Sequence, residues 1–221
     1  MERRPPIPTV ERPVDIDVGD TVLAGDLTVP GAAPGTVVFA HGSGSSRHSP
    51  RNRHVAAALR DAGLGTLLLD LLTEDEEQLD RRTAGLRFDI ALLARRLAGA
   101  TRWLAGQPEG AGRSVGYFGA STGGGAALVA ASEHPDGVRA VVSRGGRPDL
   151  AGDALLAVAV PTLLIVGGDD RVVLDLNQRA LDRMTAEKDL AVVPGATHLF
   201  EEPGALGQVA GLAAAWFRRY L

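Results

Sequence analysis

The chain has 221 residues, of which 45% are hydrophobic, and carries a formal net charge of −4 and no cysteine. This length and hydrophobic content are enough for one substantial core, so we expect a single domain over residues 1–221. The slightly acidic balance argues against nucleic acid or an anionic membrane as partner, and the lack of cysteine excludes disulfides, a thiolate nucleophile and zinc–thiolate sites.

The first part of the chain predicts an extended arm followed by an antiparallel hairpin. Residues 1–13 hold four prolines and several charges, which is typical of a loosely held arm. No apolar segment of the ~20 residues needed to cross a bilayer follows, so we expect a cytoplasmic protein with no membrane partner. Residues 14–18 alternate apolar and polar side chains, a turn follows at 19–20, and residues 21–30 supply the second strand.

The rest of the chain alternates buried strands with helices. Strands are predicted at 36–40, 65–70, 114–118, 138–143, 161–167 and 189–193, as continuous apolar runs rich in β-branched residues. Helices are predicted at about 52–62, 88–104, from 121 to 134, 150–156, 172–184 and 206–220. This order predicts an α/β fold in which a mainly parallel sheet is covered by helices on both faces.

One polar segment interrupts the alternation. Residues 71–87 are rich in Glu, Asp and Arg, and such a charge run is typical of a solvated loop or of the solvated face of a helix. By its position this segment is also the best candidate for a small lid, although the sequence leaves open whether it closes over the site.

The stretch Gly119-Ala120-Ser121-Thr122-Gly123 joins an apolar run to an Ala-rich helix and has the G-x-S-x-G spacing of a nucleophile elbow. A strand that turns directly into a helix forces the central residue into a strained conformation, and side chains two positions away on either side would collide, so glycine fits there. The serine hydroxyl is then held clear of the sheet. Ser121 is therefore the candidate nucleophile.

Two later loops supply the groups that activate a serine. The loop after Val166 holds Asp169 and Asp170, and the loop after Val193 holds His198. A serine hydroxyl needs a general base, and a histidine base needs a carboxylate that fixes its tautomer and stabilises the imidazolium. The sequence predicts a triad of Ser121 and His198 with Asp170 or Asp169 as the acid. Asp170 is preferred because Arg171-Val172-Val173 follows it, which resembles the G-x-x-D-x-V pattern at the acid loop of α/β-hydrolases.

An oxyanion hole requires two preorganised N–H donors. The amide of Thr122, at the start of the helix, is the first candidate. The amide of Ser43, in the loop His41-Gly42-Ser43-Gly44, is the second. We expect His41 to hold the shape of this loop through hydrogen bonds rather than to act as a base.

The segments around His41, Ser121, Asp170 and His198 together resemble the dienelactone-hydrolase-like group of the α/β-hydrolase superfamily. The resemblance covers nearly the whole chain after residue 14 and implies a hydrolase without cofactor or bound metal. Dienelactone hydrolase proper uses a cysteine, whereas this chain has Ser121, which makes a small serine esterase the more plausible member. The interval between Ser143 and Pro161 is too short for the large helical cap of many relatives, so the site is expected to be open.

The expected substrate is a small carboxylic ester or lactone, hydrolysed through an acyl-enzyme. Arg47, Arg144 and Arg147 lie on loops at the expected edge of the site, where a guanidinium could bind a substrate carboxylate. Two alternatives stay open: amide or thioester cleavage or acyl transfer with the same triad, and a non-catalytic binding protein on this fold. The oligomeric state is not indicated by the sequence.

Overall fold

The computed structural model describes residues 9–221, which form one eight-stranded sheet with helices on both faces. The strands are β1 (Val10–Asp17), β2 (Val22–Val29), β3 (Gly35–Ala40), β4 (Gly65–Leu69), β5 (Ser114–Ala120), β6 (Ala140–Arg144), β7 (Thr162–Gly167) and β8 (Lys188–Val193). The helices are α1 (Pro50–Asp61), α2 (Glu74–Thr83), α3 (Ile90–Ala105), α4 (Thr122–Glu133), α5 (Arg171–Arg183) and α6 (Ala205–Tyr220). Short 3₁₀ segments occupy Leu86–Phe88 and Pro148–Ala157.

The strand order is β1-β2-β4-β3-β5-β6-β7-β8. The β1–β2 and β2–β4 pairs are antiparallel, and every other neighbouring pair is parallel. The predicted mainly parallel sheet with an opening hairpin is therefore confirmed. Among residues 9–221, none of the helices combines the length and hydropathy that crossing a bilayer demands.

The predicted arm over residues 1–13 needs a correction at its carboxyl end. Residues 1–8 lie outside the described part of the chain, but β1 already begins at Val10 and pairs Arg12 with Leu27 and Pro13 with Asp26. Proline is tolerated at this point because β1 is an edge strand, where one side of the backbone has no partner that needs an N–H donor.

Alternation along the central strands divides the core between the two faces of the sheet. In β5, Tyr117 packs with the cluster beneath α3 and α4, whereas Phe118 packs with the cluster beneath α1 and α6. Every residue of β3 and of β7 is buried, as expected for parallel strands covered on both faces. Because the strands are packed on both faces, the loops that follow them are held in place at the carboxyl edge of the sheet.

The charged segment of residues 71–87 folds as α2 and a 3₁₀ turn. The expectation that this segment is only solvated is wrong for the side that faces the rest of the protein. Asp80 is 1% exposed and accepts hydrogen bonds from the Arg87 backbone N–H (3.0 Å) and Nε (2.6 Å). Glu76 accepts two hydrogen bonds, of 2.6 and 2.7 Å, from the buried guanidinium of Arg96 in α3. Charged side chains are buried here because each has an opposite charge within hydrogen-bonding distance.

Candidate active site

Ser121 occupies the sharp turn between β5 and α4, at the carboxyl edge of the sheet. Its φ of +51° and ψ of −122° depart from the ordinary regions for a residue with a side chain. A Cβ added at Gly119 would lie 2.5 Å from the Gly123 carbonyl oxygen, so the turn closes only because glycine stands at this position. The partly exposed Ser121 side chain makes no capping hydrogen bond to α4.

The loops after β7 and β8 bring Asp170 and His198 together. The distance between Asp170 Oδ2 and His198 Nδ1 is 2.6 Å, and the Asp170 side chain is 14% exposed against 39% for His198. An ionised carboxylate can only accept a hydrogen bond. In neutral His198 the ring proton therefore lies on Nδ1, and Nε2 remains as the acceptor. This is the tautomer that a general base requires.

Asp169 is placed differently from Asp170. Its side chain is exposed, while its backbone N–H donates to the Ala196 carbonyl at 3.0 Å and ties the two loops together. Asp170 is the N-cap residue of α5, yet its carboxylate makes no capping bond because it contacts His198 instead. Neither aspartate side chain therefore caps α5.

The histidine loop lies against the end of β6, next to the elbow. A Cβ added at Gly145 would lie 3.5 Å from His198 Nδ1 and 3.2 Å from the His198 carbonyl oxygen. The residues after β6 also bond to the backbone of Ser121, since Ser121 N–H donates to the Arg144 carbonyl (3.3 Å) and Arg147 N–H donates to the Ser121 carbonyl (3.0 Å). No hydrogen bond joins Ser121 Oγ to His198 within residues 9–221; in unliganded enzymes such contacts are often long.

The two expected oxyanion donors lie on neighbouring loops. Ser43 Oγ and Thr122 Oγ1 are 3.2 Å apart, which brings the loop after β3 against the first turn of α4. Over the described residues the amides of Ser43 and Thr122 donate to no protein acceptor. The amino end of α4 adds positive potential at the same place.

His41 holds the Ser43 loop in the way the sequence suggested. It is 6% exposed, its Nδ1 lies 3.0 Å from the Gly42 carbonyl oxygen, and its Nε2 accepts from the Leu71 N–H at 3.0 Å. Both bonds together require a neutral ring with its proton on Nδ1. Leu71 could not be predicted as the partner from local pattern, because the two residues meet only when β3 and β4 pair.

The three candidate arginines have different surroundings. Arg47 forms ion pairs with Asp70 and, at 3.9 Å, with Asp26. Arg147 donates two hydrogen bonds, of 2.8 and 2.6 Å, to Asp149. Arg144 is 7% exposed and has no carboxylate partner within the described residues.

Two charged residues at the site were missed by sequence reasoning. Glu77 and Arg87 line a small cavity beside the Ser43 loop, together with Gly42, Ser43 and Thr122. They lie in the charge run that was expected to face solvent, and local sequence pattern gives no sign that they line this cavity. Within residues 9–221, no group of three or more His, Cys, Asp or Glu side chains is arranged to hold a metal ion.

Both the sequence and the fold of this chain are similar to those of known proteins. The model of the Dienelactone hydrolase family matches residues 20–220. The chain belongs to the dienelactone hydrolase family. Within this family, the crystal structure of a dienelactone hydrolase from Anabaena variabilis is 60% identical and superposes with a TM-score of 0.94, covering 96% of this chain and 99% of that one. The predicted resemblance is thereby confirmed, and the protein is an α/β-hydrolase.

The chain is also similar to a more distant solved structure and to two longer proteins. Est1E from Butyrivibrio proteoclasticus superposes with a TM-score of 0.78 at 14% identity, over 94% of this chain and 98% of that one, and shares the fold. Two curated proteins of Mycobacterium tuberculosis with the provisional name phosphoribosyl transferase are 61% identical over 214 residues, which are 97% of this chain and 47% of theirs. The chain thus spans about half the length of these curated relatives.

Proposed function

We propose that this member of the dienelactone hydrolase family is a serine hydrolase that cleaves small carboxylic esters or lactones through Ser121, His198 and Asp170. The observation that supports it most is the 2.6 Å contact between Asp170 and His198, on loops that pack against the elbow carrying Ser121. Ser121, Asp170 and His198 are far apart in the chain and follow strands at the same edge of the sheet, which supports the arrangement that serine activation needs.

In the proposed reaction, Ser121 Oγ attacks the ester carbonyl while His198 Nε2 takes its proton. Asp170 stabilises the imidazolium that forms and holds the ring in place. The tetrahedral oxyanion accepts hydrogen bonds from the amides of Ser43 and Thr122. The imidazolium then protonates the departing alkoxide, and an acyl-enzyme on Ser121 remains. Water, deprotonated by His198, attacks that acyl group and releases the acid and free Ser121.

The surroundings of Ser121 favour a small substrate. In the described chain the interval between β6 and β7 holds only the ten-residue 3₁₀ segment Pro148–Ala157, so no large cap covers the elbow from this side. The cavity beside the oxyanion loop is small and has Leu71, Leu72 and Leu93 in its wall. We therefore propose a short acyl group or a lactone ring rather than a long chain. A carboxylate on the substrate would find its partner in Arg144 rather than in Arg47 or Arg147, which already pair with aspartates.

Two other functions are compatible with the same fold and candidate site. Amides, thioesters or an acyl acceptor other than water would react through the same triad, and the family alone does not separate them from esters. The phosphoribosyl transferase name belongs to proteins about twice as long as this chain, and no feature of the site favours that chemistry. A binding protein without catalysis is the remaining alternative.

The deciding experiment is reaction with a fluorophosphonate probe, followed by mass mapping of the modified peptide. The probe phosphonylates a serine only where a base activates it and an oxyanion hole receives its oxygen. Modification of Ser121 in the native chain, and its loss in His198→Ala, are expected. An unmodified Ser121 in folded protein would favour the binding protein. Kinetics with matched ester, lactone, thioester and amide substrates then select the bond that is cleaved.

A further inference from the structure

Asn177 is a fully buried amide on the helix that begins at the candidate acid. It lies in α5 two turns after Asp170, and its exposed fraction is 0%. Its Nδ2 donates to the Val173 carbonyl of the same helix at 2.8 Å and to the Gly146 carbonyl at 3.0 Å. Both partners can only accept, so the two protons of the amide nitrogen face them and the orientation of the side chain is fixed.

The bond to Gly146 is not part of α5. Val173 stands four residues before Asn177 in the helix, whereas Gly146 belongs to residues 144–147, at the end of β6. Within residues 9–221 no other group donates to the Gly146 carbonyl. The Oδ1 of Asn177 is enclosed without a donor in the described chain. An enclosed amide oxygen costs free energy that an aliphatic side chain would avoid, so packing alone does not account for an amide at this position.

The segment at the end of β6 lies against the turn of the candidate nucleophile. Ser121 N–H donates to the Arg144 carbonyl at 3.3 Å, and Arg147 N–H donates to the Ser121 carbonyl at 3.0 Å. Gly146 stands between these two contacts. Because Ser121 has a φ of +51°, its backbone conformation persists only where the surrounding structure holds it. The bond to Gly146 therefore acts on the residues that keep this turn in place.

The same segment also contacts the candidate base. Gly145 has a φ of +50°, and its N–H donates to the Ile165 carbonyl at 2.7 Å. A Cβ added at Gly145 would lie 3.5 Å from His198 Nδ1. The segment thus lies against both the Ser121 backbone and the His198 loop. A shift of Gly146 would change the distance between Ser121 and His198, and a misplacement of about 1 Å can lower a rate by about 100-fold.

We propose that Asn177 is a positioning residue for the serine reaction. By donating to the Gly146 carbonyl, it holds residues 144–147 at the spacing that lets His198 take the proton from Ser121. This inference rests on the proposed hydrolase function and adds to it a residue outside the triad. One hydrogen bond then connects the helix of the acid to the backbone beside the nucleophile.

Asn177→Thr tests this bond separately from the helix. Threonine is close to asparagine in volume, and its hydroxyl can donate to the carbonyl four residues earlier, so the bond to Val173 is kept while the bond to Gly146 is lost. With an activated ester, kcat should fall roughly tenfold to a hundredfold, and KM should stay within about twofold. The rate constant for modification of Ser121 by a fluorophosphonate should fall by a similar factor, because that reaction needs the same serine and base.

Ala180→Gly is the matched control. Ala180 is buried in α5, three residues after Asn177, and has no polar side chain. Glycine should lower the melting temperature through its poor helix propensity and leave kcat unchanged. All rates are measured on folded protein, well below the melting temperature of each variant. If Asn177→Thr does not fold, Asn177→Ala, which has no branched side chain, takes its place with the same expected loss of kcat.

The outcomes separate this inference from the proposed function. A folded wild type that neither hydrolyses esters nor reacts with the fluorophosphonate overturns the hydrolase and the role of Asn177 together. An active wild type, with Asn177→Thr at the same kcat and the same rate of modification, overturns the role of Asn177 alone. A loss of melting temperature without a loss of kcat, or an equal loss of kcat in Ala180→Gly, also overturns it, because either result would show a contribution to stability and not to position.

Discussion

At the scale of single residues, the site combines a strained serine with a histidine whose proton is fixed. The φ of +51° at Ser121 costs free energy that the flanking strand and helix must supply, and it keeps the side chain free of capping bonds. The contact between Asp170 and His198 directs the second ring nitrogen outward as an acceptor. Both features are conditions for nucleophilic attack by a serine, and both can be tested one residue at a time.

We expect Ser121→Ala and His198→Ala each to lower kcat by roughly four to six orders of magnitude. The reason is that attack and proton removal act as one step, so losing either partner removes most of the rate. The measurement is steady-state hydrolysis of an activated ester, with circular dichroism and melting temperature as checks on folding. Substantial turnover in folded Ser121→Ala would exclude the proposed nucleophile.

Substitution of the two neighbouring aspartates gives a matched pair of variants. Asp170→Asn should lower kcat by about 10⁴, because an asparagine amide facing His198 Nδ1 favours the wrong tautomer. Asp169→Asn, at an exposed side chain, should keep the rate within a few fold. Comparing the kcat of the two variants decides the assignment, and the reverse result would make Asp169 the acid.

At the scale of elements, α2 and the oxyanion loop are held by polar contacts rather than by apolar packing alone. A capping box joins Thr73 and Glu76 at the start of α2, and Glu76 also pairs with Arg96 of α3. The same Arg96 donates to the Leu71 carbonyl at 2.8 Å, while His41 accepts from the Leu71 N–H. These bonds connect α2, the end of β4 and the Ser43 loop in one chain of contacts.

Glu76→Gln should destabilise the protein by roughly 2–4 kcal/mol at pH 7, because Arg96 is only 3% exposed and loses its charged partner. The hydrogen bonds from Arg96 lower the pKa of Glu76 from 4.5 to about 2. A lowered carboxyl pKa stabilises the fold above the unfolded value, and this contribution is lost as the pH falls toward 2.

Urea unfolding of the wild type and Glu76→Gln across pH measures this contribution. The difference in the free energy of unfolding should be constant from pH 7 to about 5 and should shrink as the pH falls from about 4.5 toward 2. A difference that does not change with pH would show that the carboxylate charge contributes nothing beyond hydrogen bonding.

His41→Leu should lower kcat roughly tenfold to a hundredfold with a smaller change in KM. Without the bonds to Gly42 and Leu71, the Ser43 amide is no longer held where the oxyanion forms, so the loss falls on the transition state. His54→Leu, at an exposed position on α1, is the control and should behave like the wild type. A rise in KM with unchanged kcat would assign His41 to substrate binding instead.

At the scale of the whole molecule, a single sheet carries the entire site. The loops after β3, β5, β7 and β8 carry Ser43, Ser121, Asp170 and His198, and all of them emerge at the carboxyl ends of parallel strands. The two apolar clusters lie on opposite faces of that sheet, so neither can unfold without exposing strands that the other covers. From this continuity we predict that residues 9–221 behave as one domain.

We therefore expect one cooperative unfolding transition, with equal calorimetric and van't Hoff enthalpies. The heat capacity change should be about 3 kcal/mol/K, from the usual 12–15 cal/mol/K per residue. Differential scanning calorimetry of the chain, followed by a second scan to check reversibility, gives both quantities. Two resolved transitions would contradict the single domain.

The fold class and the candidate triad were predictable because they depend on local pattern. Apolar runs marked the parallel strands, the glycines around Ser121 marked the turn, and the chain order placed Asp170 and His198 on later strand ends. The start of β1 at Val10 was not predictable in this way, because an edge strand tolerates the proline and charges that otherwise indicate an arm.

The amino-acid pattern therefore located the ends of the strands to within about two residues, since hydrophobic periodicity and glycine placement act over a few neighbouring positions. Which side chain pairs with each charged residue was decided only by the tertiary structure. Asp80 and Arg96 are buried because Arg87 and Glu76 reach them, whereas Arg144 is buried without a carboxylate partner in the described chain. Ion pairing depends on side chains from distant segments approaching within a few ångströms, and no local pattern encodes that distance.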